Sequence, residues 1–251
     1  MEFFLRVDYA DISLLGGREE NQDRVATAVT EHSALLVVVD GMGGHANGAK
    51  AAEVTQQVVL DAFGQAAQPL FDPMGFLHMT LGRAHEEVVK LGAQLPIEHR
   101  PRATCAVCLV QQGAAWWAHI GDSRLYHLRH GTLVSRSRDH SHVELLLREG
   151  LITADQAQTH PMRNFVECCL GGDPIVPDMT LARRRPLEPN DVLLVCTDGF
   201  WAGVKDSEIA SEVGAPGVVL KDKLLELAQR AVVRTGAASD NTSVAALRWV
   251  G

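Results

Sequence analysis

"VVVDGMGGHANG", Val37–Gly48, sets the carboxylate of Asp40 at the end of an apolar run and follows it with four glycines, a methionine and a histidine. The run itself, Ser33–Val39, is continuously apolar after its first residue, as in a strand buried on both faces. The residues beyond it, "ANGAKAAEVTQQVVLDAF", carry Ala52, Gln56, Val59 and Phe63 at helical spacing. Gly41, Gly43 and Ala46 fit the G-x-G-x-x-A pattern of a dinucleotide-binding turn. That turn requires a second strand after the helix, with an acid about 20 residues on. Here the helix runs into "GQAAQPLFDPMGF" and a second helix, and Asp40 would repel a pyrophosphate. An acid beside a bare backbone can close an Asp-Gly turn or hold a cation.

Working outward, the second helix keeps Leu77, Leu81, Ala84, Val88, Leu91 and Leu95 on one stripe, and Pro96 and Pro101 close it. From Ala103 the period changes. "ATCAVCLV", "AAWWAHI", "SRLYHLR" and "TLVSRS" are short strands of a meander, punctuated at Gln112-Gly113, Gly121-Asp122 and His130-Gly131. Two short helices follow, His142–Glu149 and one opened by the capping-box pattern Thr153–Gln156. They form a helical insert at about 139–172, suited to be a flap. "TLARRRPL" and "DVLLVCT" resume the strands, "LKDKLLELAQRAVV" is a helix, and "TSVAALRWV" is a last strand. Strands and helices are grouped rather than alternating, so the expected class is α+β in a single domain, 1–251.

Asp40 has company. Asp122 in "HIGDSRLY" and Asp198 in "VCTDGFW" also follow apolar strands, Asp240 in "ASDNTS" precedes one, and Asp23 closes "GGREENQD". One Asp-Gly is an ordinary turn signal. Several carboxylates brought to one end of a sheet must be neutralised by something cationic. Hard divalent ions take carboxylate, carbonyl and water oxygens, and the Gly41 carbonyl is a candidate donor.

The composition excludes several classes. With 251 residues, 27.2 kDa and 46% apolar residues, the chain can bury a full core. No apolar run approaches the ~20 residues that span a bilayer. The start, "MEFFLRVDYADIS", lacks the basic region of a signal peptide, so a cytoplasmic protein is expected. The net charge of −8 argues against nucleic acid, and Arg183-Arg184-Arg185 is read as a solvated strand face. Five cysteines do not suit a disulfide framework; Cys105 and Cys108, three apart in a strand, face opposite sides as core residues.

Taken in order, "GGREENQD", "VVVDGMGGHANG", "RATC", "HIGDSRLY", "RDHSHVELLLREGLIT", "HPMRN", "LLVCTDGFW" and "SDNTSVAAL" resemble the bacterial form of the PP2C (PPM) family of metal-dependent protein Ser/Thr phosphatases. The resemblance spans nearly the whole chain. It implies an α-β-β-α sandwich of two antiparallel sheets flanked by helices, with two to three Mn²⁺ or Mg²⁺ ions at one edge. Asp40 would bridge two ions, with the Gly41 carbonyl on one. Asp198 and Asp240 would hold the first, Asp23 would serve the second directly or through water, and Asp122 with Asp198 would hold a third. Arg18 would grip the substrate phosphate, a task for a planar guanidinium, and Asn241 would orient the neighbouring acid. Water activated by the ions would attack phosphorus.

The chain departs from the family at three points. Met42 stands where eukaryotic members often carry a histidine two positions after the bridging aspartate; His45, three residues further on, and a metal-bound water are equal candidates for the acid. Gln22 precedes Asp23 where an acidic pair is usual. "FVECCLGG" replaces a more common Thr-Arg-Ala-Leu-Gly-like run in the flap. His140 and His160 are read as structural. The implied substrates are phosphoproteins, opposite a bacterial Ser/Thr kinase, with a type VI secretion setting as one possibility and a monomer as the expected state. The alternatives are a catalytically dead relative, which should have lost Asp40, Asp198 or Asp240, and a phosphatase of anti-sigma partner-switching antagonists.

Overall fold

A computed structural model describes residues 5–42 and 46–251. Its strands form two antiparallel sheets stacked face to face. One has the order β1 (Val7–Leu14), β11 (Thr242–Trp249), β10 (Val192–Cys196), β6 (Arg124–Arg129), β7 (Thr132–Arg136). The other runs β2 (Asp23–Val29), β3 (Ser33–Met42), β4 (Arg102–Gln111), β5 (Ala114–Ile120), β9 (Thr180–Pro186), with β8 (Leu170–Gly171) paired to β4. Helices α1 (Ala46–Gln65) and α2 (Pro73–Leu91) cover the outer face of the second sheet. The outer face of the first is covered by α5 (Asp198–Trp201), α6 (Asp206–Val213) and α7 (Leu220–Thr235). The expected α-β-β-α sandwich is what the chain forms.

The alternation of side chains explains why the central strands read as unbroken apolar runs. In β3, Leu35, Val37 and Val39 pack under α1 and α2, while Ala34, Leu36 and Val38 face the opposite sheet. β11 repeats the pattern: Val244 and Ala246 meet the α7 side, and Ala245 and Leu247 face the interior between the sheets. Cys105 and Cys108 are buried in different layers, as three-residue spacing in a strand requires.

Three details differ from the sequence reading. β3 does not stop at Asp40. β4 begins early enough to pair Gly41 with Ala103 and Met42 with Arg102, so the acid lies two residues inside the strand. Helix α2 ends at Leu91, capped by Gly92, so Leu95 falls outside the stripe. Strands β1 and β2 and helix α6 had no apolar run to announce them: β1 is an edge strand whose eight residues include only one buried side chain. The insert at about 139–172 holds α3 (His142–Arg148), α4 (Ala154–Gln158) with the Thr153 capping box, and β8. Among the described residues no helix is long and apolar enough to cross a membrane.

Candidate metal centre

The topology gathers the five acids at one end of the sandwich. Antiparallel pairing of β2 with β3 sets Asp23 directly opposite Asp40. The turn Gly121–Ser123 carries Asp122 as the chain crosses from β5 in one sheet to β6 in the other. In the first sheet, Cys196 pairs with both Arg124 and Val244, which brings the end of β10 beside the starts of β6 and β11. Asp198 and Asp240 flank those strand ends.

Here a cavity of about 590 Å³ opens. It is lined by Gly17, Arg18, Glu19, Glu20 and Gln22 ahead of β2, by Asp40, Gly41, Met42, Asp122, Asp198, Asp240 and Asn241, and by Asn164 and Val166 of the 139–172 insert. Asp23 is set back from this lining. It is buried, and its Oδ2 accepts a hydrogen bond from Thr197 Oγ1 at 2.8 Å. His45 lies outside the described residues. His140 is a structural group: its Nδ1 accepts from the Gly121 N–H at 3.2 Å, its Nε2 pairs with Thr180 Oγ1 at 2.8 Å, and its ring stacks on His119. His160 Nδ1 accepts from the Met162 N–H.

Two of the glycines have a packing task as well. A Cβ on Gly41 would lie 2.1 Å from the Gly48 carbonyl oxygen, and one on Gly199 would lie 2.0 Å from that of Asn241. Both glycines let one backbone segment press on another, seating α1 against β3 and the Asp198 turn against the start of β11. Asn241 also acts on a wider scale. Its side chain donates to the carbonyls of Leu15 and Glu20 and accepts from the Gln22 N–H, pinning the loop that carries Arg18. Its backbone N–H is the group that meets Asp240, at 2.8 Å.

The electrostatics set this end apart. Burial, joined by repulsion from Asp198, Asp23, Asp122 and Asp240, lifts Asp40 well above the usual carboxylate range. Burial and Asp198 push Asp122 to about 8. Burial raises Asp23 to about 7 against the pull of its Thr197 and Ser243 hydrogen bonds, and burial with Asp240 raises Asp198 to about 6. Among the described residues the one cation in the cavity lining is Arg18, whose Nη2 lies 2.6 Å from Asp240 Oδ2.

This is a donor set short of positive charge, and a hard divalent ion fits it. Every candidate ligand is an oxygen, the carboxylates repel one another, and a guanidinium already stands in for a cation on Asp240. Among the described residues no group of three His, Cys, Asp or Glu side chains closes on a single point. Ions held here would keep water in their shells, as Mg²⁺ characteristically does. Thr197, Glu19, Glu20, Asn164 and Val166 were not singled out from the sequence. They lie within the quoted motifs, but only the fold brings them to Asp23 or to the cavity.

The comparisons agree with this geometry. A family description, protein phosphatase 2C, matches residues 15–220. A 2C-type protein phosphatase of Streptococcus pyogenes is 32% identical over 234 residues, 91% of each chain. The crystal structure of the Mycobacterium tuberculosis serine/threonine phosphatase PstP superimposes with a TM-score of 0.83 at 28% identity, covering 98% of this chain and 99% of that one. A structure of the PstP catalytic domain in complex with two manganese ions gives 0.82 at 27%. PppA, a regulatory component of type VI secretion in Pseudomonas aeruginosa, gives 0.81 at 27%, with 98% and 99% covered. With its sandwich, its acid-lined cavity and a match over most of its length, the chain belongs to the protein phosphatase 2C family.

Proposed function

We propose that the chain is a metal-dependent protein phosphatase that hydrolyses phosphoserine and phosphothreonine esters on protein substrates, with Mn²⁺ or Mg²⁺ as cofactor. The observation that carries this reading is the concentration of buried carboxylates with raised pKa values around one cavity, with a single arginine on its rim. In this reading Asp40 would serve two ions and the Gly41 carbonyl one of them. Asp198 and Asp240 would hold the first. Asp23, buried and bonded to Thr197, would serve the second directly or through water. Asp122 with Asp198 would hold a third, weaker ion. When bound, such ions supply Lewis-acid activation of water and of the phosphoryl oxygens.

The chain's own groups do the rest. Arg18 is 56% exposed in its side chain, so it is free to exchange Asp240 for a phosphate, where a guanidinium makes paired, charge-assisted bonds. Asn241 keeps the Arg18 loop in place for that exchange. The leaving serine or threonine oxygen needs a proton. Among the described residues no imidazole lines the cavity, so His45 and water remain the proposed donors. The flap residues Asn164 and Val166 border the space a phosphopeptide would enter.

The substrates proposed are targets of a bacterial Ser/Thr kinase. Likeness to PppA is no greater than likeness to PstP and does not single out a secretion setting. A dead relative is disfavoured because Asp40, Asp198 and Asp240 are all present. The test is turnover of p-nitrophenyl phosphate and a phosphothreonine peptide with EDTA and then with Mn²⁺ or Mg²⁺ restored. Loss and recovery are expected; activity that survives complete chelation refutes the reading.

A further inference from the structure

Asp122 and Asp198 repel each other, yet the fold holds them in one cavity. The means lie just behind them. Asp198 opens α5, and Trp201 is three residues further on, so both project from the same short helical turn. Trp201 Nε1 donates to the backbone carbonyl oxygen of Asp122 at 3.0 Å. One indole N–H therefore ties the segment carrying one acid to the segment carrying the other.

The indole is itself held. The Arg124 guanidinium lies over its ring, 3.6 Å from the centroid. Arg124 is two residues beyond Asp122 and is bound in a fork by Asp139: Nε to Oδ1 at 2.9 Å and Nη2 to Oδ2 at 2.7 Å. The side chains of this pair are only 13% and 6% exposed. Asp139 is the first residue of the flap region. Next to it the His140 N–H donates to the Gly121 carbonyl at 2.9 Å, and the His140 carbonyl accepts from the Glu167 N–H. The turn that bears Asp122, the helix that bears Asp198 and the root of the flap thus meet on one stack of indole, guanidinium and carboxylate.

A surface ion pair contributes little, but a forked, buried pair with a flat guanidinium on an aromatic face fixes orientation. We propose that Trp201, braced by the Arg124–Asp139 pair, is a positioning unit that sets Asp122 opposite Asp198 and anchors the flap root, so that it governs ion binding at the Asp122 end and phosphopeptide turnover. The proposal rests on the assignment of Asp122 as ligand of a third ion. Trp201 is not among the residues that line the cavity; its action is through Asp122.

The experiment compares Trp201→Phe, Asp122→Asn and the double variant. Phenylalanine keeps a ring under Arg124 and removes only the N–H. Mn²⁺ binding is counted by calorimetry, and kcat/KM is measured for p-nitrophenyl phosphate and for a phosphothreonine peptide. Trp201→Phe should stay folded, retain the tight ions, weaken the weakest Mn²⁺ event about fivefold and lower peptide kcat/KM by a similar factor, as loss of one hydrogen bond implies. Small-substrate turnover should change less than twofold. On the Asp122→Asn background the substitution should add almost nothing, because both changes act on one group.

Full additivity overturns the proposal, as does an equal fall for both substrates or an unchanged weak site in Trp201→Phe. If Asp122→Asn alone leaves ion count and peptide turnover intact, the third-ion assignment fails. A peptide defect in Trp201→Phe would then have to arise elsewhere, and the positioning role through Asp122 would fall with it. If Trp201→Phe does not fold, Arg124→Lys replaces it in the cycle: it keeps the charge, loses the fork and should show the same non-additivity with Asp122→Asn.

Discussion

The two ends of the sandwich bury carboxylates in opposite ways. At the end away from the cavity, Asp191 has a fully buried side chain. Burial would raise its pKa, but Arg129 wraps it with Nε and Nη2 at 2.7 Å and His127 Nε2 lies at 2.8 Å, so the net shift is downward. At the cavity end, Asp40, Asp122 and Asp198 are pushed upward, by burial above all. The same residue type is neutralised by the chain itself in one place and, in the proposed reading, left for an external cation in the other. A buried acid with its own arginine is architecture; a group of buried acids sharing one exposed arginine is a site.

The largest expected effect breaks this contrast directly. Asp40→Asn should reduce phosphatase activity by at least about a thousandfold, since it removes the carboxylate proposed to serve two ions. It should leave the metal-free protein as stable as before, or more so, because it relieves repulsion. Asp191→Asn should do the reverse. It leaves Arg129 and His127 facing a neutral amide, at a cost of about 3 kcal/mol or more, while activity per folded molecule stays near normal. Urea unfolding in EDTA combined with kcat/KM in Mn²⁺ separates the two. If Asp40→Asn is the more destabilising of the pair, the distinction between the two ends is wrong.

Arg18 sharpens the comparison from the cation side. Its pair with Asp240 is exposed on both partners, 56% and 38%, so as a stabilising contact it contributes between nothing and about 1 kcal/mol. Its proposed worth lies in substrate binding. Arg18→Ala should leave the unfolding midpoint nearly unchanged and lower phosphopeptide kcat/KM roughly ten- to hundredfold, chiefly through KM. A large loss of stability with unaltered kcat/KM would make Arg18 a partner like Arg129, and no longer part of the site.

How much of this was legible before the fold was known follows from range. Val37–Val39, Cys105–Leu109 and Val192–Cys196 declare themselves because both faces are buried and every residue is apolar. Asp40, Asp122 and Asp198 are visible because each interrupts or follows such a run. Strand β1 was not: Asp8, Tyr9 and Asp11 face solvent, and its register comes entirely from β11, more than 200 residues away. Asn241 was read as serving its neighbour, whereas its side chain reaches back to Leu15 and Glu20. Thr197 opens a recognisable "TDGF" and Trp201 follows it, but their partners, Asp23 and the Asp122 carbonyl, are 174 and 79 positions distant. Chemistry carried by residue type was legible in the chain; chemistry carried by pairing across the two sheets was not.

The smallest effect tests the contrast as a whole, through pH. In the metal-free protein Asp198, Asp23 and Asp122 sit near 6, 7 and 8, and Asp40 is raised as well, all above an unfolded value of about 3.9. Between pH 4 and 8 the native state therefore holds more protons than the unfolded chain, and stability must fall as pH rises. The stabilisation from these groups is complete below about pH 4 and is lost as pH climbs through 6 to 8. Divalent ions reverse the sign. They bind the deprotonated carboxylates, so their contribution grows with pH over the same window. In EDTA the Tm should drop by a few degrees from pH 6 to pH 8, whereas in saturating Mg²⁺ it should stay level or rise. The difference between the two series cancels groups that titrate elsewhere on the surface. Asp40→Asn removes one member of the cluster and the repulsion it exerts on the others, so it should flatten the EDTA slope. Asp191→Asn should lower the whole curve and leave that slope intact, since Asp191 is held below the usual range and does not titrate between pH 6 and 8. Parallel slopes with and without Mg²⁺, unchanged by Asp40→Asn, would mean that the cavity acids carry their charges without strain and that no cation is needed to relieve them.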